Sequence, residues 1–86
     1  MGLARKRDMP QFYFDIENGR DSSRDDTGIE LPDRATARSA AVEALSDMAG
    51  DCFPDGDEGD LTVKVRDSLG NYFYEAKLSL RARWTG

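Results

Sequence analysis

The residues of this chain that come closest to a chemical site are Cys52 and the acidic residues around it. A nucleophilic cysteine needs a base or a positive charge to form its thiolate, and the sequence contains no histidine, the commonest partner for this task. Asp51 stands directly before Cys52, and its negative charge opposes thiolate formation. We therefore expect no catalytic residue and no enzymatic activity.

The acidic segment that follows Cys52 is a candidate for calcium binding, because Asp55, Asp57 and Asp60 offer several carboxylate oxygens in a glycine-containing loop. An EF-hand beginning at Asp55 would need glycine at its sixth position and glutamate at its twelfth, which are Asp60 and Arg66 here. This spacing excludes an EF-hand, and we expect neither a metal centre nor a cofactor. Weak divalent binding by residues 55–60 stays open.

Basic and aromatic side chains share one predicted face of the sheet. Lys and Arg can follow phosphates while aromatic rings stack on bases, at about 1–3 kcal/mol per base, which suits single-stranded nucleic acid. Basic residues are also common on solvated strands, where they discourage edge pairing, and acidic segments flank these strands. A solvated basic face is therefore favoured over a nucleic-acid site. The candidate interaction or nucleic-acid face consists of Tyr13, Lys64, Arg66, Phe73, Lys77 and Arg81.

Hydrophobic spacing predicts the elements that must position these residues. Apolar residues alternate in strands 11–16, 29–31, 61–66 and 72–84, and they recur at helical spacing from 33 to 48. Asp33 is the predicted N-cap of this helix and Gly50 the residue just past its end. In the last strand Tyr72 falls on the apolar face, and Phe73 falls on the opposite, wet face.

The order of elements predicts an α+β domain with a β-β-α-β-β arrangement, in which one helix packs on one face of a four-stranded antiparallel sheet. We expect residues 9–86 to form this single domain and residues 1–8 to be a disordered extension. The lone cysteine, the lack of a secretory signal core and the lack of about 20 consecutive apolar residues predict a cytoplasmic protein without a membrane partner.

One helix cannot cover the whole predicted sheet, because four strands span about 19 Å and a helix about 10 Å. Either the chain's own termini, including Trp84, cover the remaining apolar surface, or a second copy of the chain covers it. Both alternatives stay open at this point.

Three stretches of the sequence carry a resemblance. They are Tyr-Phe-Asp at residues 13–15, Asp-x-Gly-x-x-Leu-Pro-Asp at residues 26–33, and the alanine-rich segment that follows. Over about residues 9–80 the chain resembles a family of short proteins of unknown function from rhizobial-type alphaproteobacteria. The resemblance implies a small cytoplasmic sheet-and-helix domain and carries no activity or ligand.

The leading hypothesis is a small non-enzymatic interaction module that pairs with itself or with another protein through its sheet. The alternative is a nucleic-acid-binding or antitoxin-like regulator that uses the basic sheet face. The strand-strand-helix start and residues 28–32 look somewhat like HicB-type antitoxins, which is an analogy of fold alone.

Overall fold

A computed structural model of the chain describes residues 9–52 and 58–86, with Cys52 described by its backbone alone. The predicted extension at residues 1–8 and residues 53–57 of the predicted acidic loop lie outside the described residues. One helix packs against an antiparallel sheet of five strands, which confirms the α+β class. The elements are β1 (Gln11–Asn18), β2 (Asp21–Ser23), β3 (Ile29–Glu30), α1 (Arg34–Cys52), β4 (Glu58–Asp67) and β5 (Tyr72–Arg81).

The sheet has the strand order β2-β1-β4-β5, and every pairing is antiparallel. The short strand β3 pairs with the same strand as β2 but at its other end, since Gln11 faces Glu30 whereas Ile16 faces Ser23. The short strand β2 was not predicted, because all three of its residues are polar and exposed. Strand β5 lies at the opposite edge, and within residues 9–52 and 58–86 no strand pairs with its outer side.

The helix lies close to the sheet because its inner face is small. Ala37 and Ala41 are completely buried, and with Leu45 they pack on three fully buried residues of β4, which are Leu61, Val63 and Val65. Among the described elements, α1 contacts β4 and β5 more than β1. We call the side of the sheet that faces α1 the helix face and the other side the open face.

The two predicted ends of the helix have different outcomes. The prediction of Asp33 as the N-cap is confirmed, since its Oδ1 accepts a hydrogen bond from the Thr36 amide at 2.8 Å. The prediction that Gly50 follows the end is wrong, because α1 continues through it to Cys52 and Gly50 has no positive φ. Gly50 therefore extends the helix without adopting the left-handed conformation of a terminating glycine.

A β-bulge overturns the predicted register at the start of β5. Val65 faces Tyr74 while Arg66 faces Tyr72, so Phe73 is the extra residue on β5. Tyr72 consequently lies on the open face, and Phe73 turns to the helix face, where its ring centroid is 5.6 Å from that of Phe12. The placement of Phe73 on the wet face and of Tyr72 on the apolar face was therefore wrong.

Beyond the bulge, β5 has the predicted alternation, with apolar side chains on one face of the sheet and polar side chains on the other. Leu78 faces the buried Leu61 on the helix face, whereas Lys77 and Arg81 are exposed on the open face. The strand ends at Arg81, earlier than predicted, and Trp84 is 94% exposed. Trp84 therefore does not cover the apolar surface of the sheet. The expectation that it does so as part of the chain's own termini was wrong.

Within the described residues, no helix combines the length and the apolar character that a membrane crossing requires.

Candidate functional site

A buried ion pair lies on the open face of the sheet. Asp15 of β1 is 8% exposed and Arg66 of β4 is 6% exposed. The Arg66 Nε lies 3.2 Å from Asp15 Oδ2, and Arg66 Nη2 lies 3.4 Å from Asp15 Oδ1. The guanidinium carbon of Arg66 also lies 4.5 Å from the ring centroid of Tyr13, its neighbour across the β1–β4 pair. Arg66 is thus held by a carboxylate and an aromatic ring at once.

The two oxygens of Asp15 have further donors. The Tyr72 hydroxyl, brought to the open face by the bulge, donates a hydrogen bond to Oδ2. The Asp25 amide donates to Oδ1 at 2.9 Å, and Arg66 Nη2 donates to the Asp25 carbonyl at 2.6 Å. We call Asp15, Asp25, Arg66 and Tyr72 the Asp15 network.

The side chain of Asp25 completes the outer edge of β1 between β2 and β3. Its Oδ2 accepts from the Phe14 amide at 3.0 Å, and its Oδ1 accepts from the amides of Thr27 and Gly28, each at 3.0 Å. Gly28 has φ +75°, and a Cβ there would lie 2.8 Å from Tyr13 Cε2. Glycine is therefore required where the segment between β2 and β3 passes over β1.

Both carboxylates of the network are stabilised in their charged form. Burial alone would raise the pKa of Asp15, but hydrogen bonds from Tyr72, the Asp25 amide and Arg66 outweigh it and lower the pKa below the ordinary 3.8. Burial likewise opposes the three backbone amides that lower the pKa of Asp25. These groups therefore stay charged at neutral pH, which suits positioning of the chain and not proton transfer.

A shallow groove of about 630 Å³ lies beside the Asp15 network on the open face. Lys64, one of its lining residues, places Nζ 3.0 Å from Glu17 Oε2, and the hydrogen bond and charge of Glu17 raise the pKa of Lys64. Glu75 and Tyr72 also line the groove, so charges of both signs border it. No group of three potential metal-ligating residues occurs in the part of the chain that the structure describes. Asp55 and Asp57 lie outside that part.

The six residues of the predicted interaction face do not form one exposed basic surface. Tyr13 and Arg66 stack on each other beside the buried Asp15, Lys64 is paired with Glu17, and Phe73 belongs to the helix face. Lys77 and Arg81 are the two members that are classed as exposed. The expectation that Arg66 presents its charge to solvent was wrong, because the charge pattern of β4 does not reveal the buried acid on β1.

Sequence reasoning missed three of the four residues of the Asp15 network, since only Arg66 was a candidate. One signal was available for Asp15, because it lies two residues after Tyr13 on a predicted strand and therefore shares a sheet face with that ring. Asp25 followed by Thr27 and Gly28 also has the composition of an aspartate-capped turn. Tyr72 gave no signal, because its orientation depends on the bulge.

The outer edge of β5 is the second candidate site. This ten-residue strand leaves its outward main-chain groups without a strand partner in the described residues. Its side chains form two rows along the edge. The helix-face row is Tyr74, Ala76, Leu78 and Leu80, and the open-face row is Glu75, Lys77, Ser79 and Arg81.

These features define a small α+β domain in which a buried charge network fixes one edge of the sheet, while the other edge has no strand partner among the described residues. The chain belongs to a family described as a domain of unknown function, DUF6894, whose model matches residues 11–79. No curated protein and no solved structure matches the chain. The match agrees with the predicted resemblance to proteins of unknown function, and the rhizobial origin of the resemblance stays a prediction.

Proposed function

We propose that this chain is a small non-enzymatic cytoplasmic module that binds polypeptides through the outer edge of β5. The observation that carries the proposal is the ten-residue edge of Tyr72–Arg81, which lies at the side of the sheet opposite β2 and β3 and has no strand partner within residues 9–52 and 58–86. An extended segment added to such an edge gains main-chain hydrogen bonds along its length, and alternate side chains give it specificity.

The side chains along the β5 edge support binding of an extended segment in which apolar and polar residues alternate. Leu78 is 37% exposed although it lies on the helix face opposite the buried Leu61. Its exposed part lies beside the free edge, where a neighbouring strand would bury it. An apolar side chain in that position contributes to affinity because its burial removes hydrocarbon from water.

The non-enzymatic part of the proposal is supported by the hydrogen bonds and ion pair that already occupy the charged groups of the Asp15 network. The Asp15 carboxylate accepts hydrogen bonds from Tyr72, Arg66 and the Asp25 amide. A general acid or base needs a free position toward a substrate, and the two buried charges of this network are directed at each other.

The alternative function, nucleic-acid or antitoxin-like regulation by the basic sheet face, has fewer free charges available. Lys64 is paired with Glu17 and Arg66 with Asp15. Lys77 and Arg81 alone would give a low affinity with a shallow salt dependence, because each phosphate contact contributes about one unit of slope.

The test is selection of random ten-residue peptides, displayed on phage, against the full chain immobilised sparsely enough to keep its copies apart. We expect selected peptides that alternate apolar and polar residues and that shift the backbone amide signals of β5 in NMR spectra. Leu78→Lys should weaken their binding about tenfold or more, which corresponds to about 1.4 kcal/mol. Leu69→Lys is the matched control, since Leu69 is 85% exposed in the turn before β5, and it should leave binding unchanged.

Peptides that shift amides outside β5, or equal losses in the two lysine variants, would contradict the proposal. Salt-sensitive binding of oligothymidylate at low ionic strength, abolished by Lys77→Glu, would instead support the alternative function.

A further inference from the structure

The charges of β5 identify its partner. We infer that the occupant of the β5 edge is β5 of a second copy of this chain, paired antiparallel with Ala76 on the two-fold axis. This inference rests on the proposed function and names its partner. The resulting dimer would have one continuous sheet, with the two copies of α1 on the same side.

A two-fold axis between antiparallel strands sets a simple rule for opposite residues. The residue before the axis faces the residue after it in the other copy. With Ala76 on the axis, Glu75 faces the partner's Lys77, and Lys77 faces the partner's Glu75. On the helix face, Tyr74 faces the partner's Leu78. Each copy thus contributes one acid and one base to two equivalent cross-strand ion pairs.

Neighbouring registers lack this complementarity. An axis at Glu75 places the two glutamates opposite each other, and an axis at Lys77 does the same with the two lysines. Like charges directly opposite each other destabilise a strand pair. An axis at Leu78 pairs Glu75 with the partner's Arg81 but leaves Lys77 opposite the partner's Ser79. Of the four registers centred on residues 75 to 78, the Ala76 register alone pairs both charged residues.

The Ala76 register also continues a charge alternation that exists within one copy. Across the open face, Asp15 of β1 faces Lys64 of β4, and Lys64 faces Glu75 of β5. The next position outward would be the partner's Lys77, so that the signs alternate across four strands. On the helix face, the same register would place the partner's Tyr74 over Leu78, which is 37% exposed in the single copy.

The test is sedimentation velocity of the full chain over a concentration series. The wild-type chain should form a dimer, and Glu75→Lys and Lys77→Glu should each raise its dissociation constant at least tenfold. An equimolar mixture of the two variants should regain the dimer, because each Lys then faces a Glu of the other chain. The double variant Glu75→Lys/Lys77→Glu should also dimerise, because exchanging the two charges preserves both pairs.

Two controls separate the dimer from the fold. Lys77 faces Thr62 within its own chain, so Lys77→Glu creates no like-charge pair there, whereas Glu75→Lys faces Lys64 and needs a thermal unfolding check. Arg81→Glu changes the net charge as much as Lys77→Glu, but in the Ala76 register it lies opposite the turn that precedes the partner's β5 and should leave the dimer intact.

A dimer that Arg81→Glu weakens and Lys77→Glu does not would overturn the Ala76 register. A wild-type chain that stays monomeric at millimolar concentration would overturn self-pairing altogether. Peptide binding at β5 would still be measured independently in that case, so failure of this inference is distinguishable from failure of the proposed function.

Discussion

At the scale of single residues, the Asp15 network connects three distant parts of the chain. It joins Asp15 of β1 to Arg66 of β4, to Tyr72 after the β4–β5 turn and to the backbone at Asp25. Replacement of a buried ion pair by apolar residues is often neutral, whereas removal of one partner leaves an uncompensated charge. We therefore expect the network to act mainly by specifying one arrangement of these segments.

The stability of the fold should decrease in acid because of this network. The pKa values of Asp15 and Asp25 lie below the ordinary 3.8, so the unfolded chain binds more protons than the folded chain in that range. Their contribution is complete above the ordinary value and is lost as the pH falls through the lower, folded values. Urea unfolding from neutral pH downward should show a falling free energy of unfolding below about pH 4.

The same measurement on Asp15→Asn assigns this effect to the network. We expect a loss of about 3–5 kcal/mol at neutral pH, because the variant leaves Arg66 buried without its carboxylate. The acid dependence should also be weaker. Asp26→Asn is the control, since Asp26 is exposed beside Asp25, and it should change the free energy of unfolding by less than about 0.5 kcal/mol. Equal stabilities of the two variants would refute the role of the network.

Residues that act locally were predictable, and residues that act across the sheet were not. Asp33 caps α1 through Thr36, three positions away, and its identity as an N-cap is visible in the neighbouring residues. Asp15 and Arg66 are 51 positions apart, and their contact depends on the β1–β4 register. A single sequence does not contain that register, so Arg66 resembled a solvated base.

At the scale of elements, the spacing of apolar residues predicted the regular helix and strands. The helix, β1, β4 and β5 were located because their apolar residues repeat every two or about 3.6 positions. The bulge at Phe73 was not predicted, because an extra residue on one strand is defined only against its partner. The continuation of α1 through Gly50 was also missed, since glycine at a helix end is a tendency that the surrounding contacts override.

The close approach of α1 to the sheet makes Ala41 sensitive to size. Ala41 is completely buried against β4, so Ala41→Leu should lower the free energy of unfolding by about 1–3 kcal/mol through overpacking. Ala35→Leu, at an exposed position in the first turn of the same helix, should change the free energy of unfolding by less than about 0.5 kcal/mol. Urea unfolding of both variants measures the difference. An Ala41→Leu variant as stable as Ala35→Leu would show that the helix does not pack tightly there.

At the scale of the whole molecule, the two edges of the sheet differ. The outer edge of β1 is occupied by β2, β3 and the Asp25 carboxylate, whereas the outer edge of β5 has no strand partner among the described residues. The α+β class was predictable because the predicted strands outnumber the helix and each predicted strand has one apolar face. Which edge remains free was not, since the order of strands depends on long-range pairing.

The β5 edge also explains how a small domain could gain stability. A domain of about this size buries only about two-thirds of the surface that its unfolded chain exposes. Pairing β5 with a second copy would satisfy its outward main-chain groups and bury more of Leu78. Lysine on an edge strand discourages aggregation. In the proposed dimer, Lys77 opposite the partner's Glu75 would also select one register.

The most direct test of the β5 interface is hydrogen–deuterium exchange of the full chain at dilute and concentrated conditions. The account predicts that exchange of the outward amides of Tyr72–Arg81 slows as concentration rises. The amides of β1, which lies on the other side of β4, should keep the same rates. Exchange of β5 that does not depend on concentration, or protection that appears on another element, would contradict self-pairing through this edge.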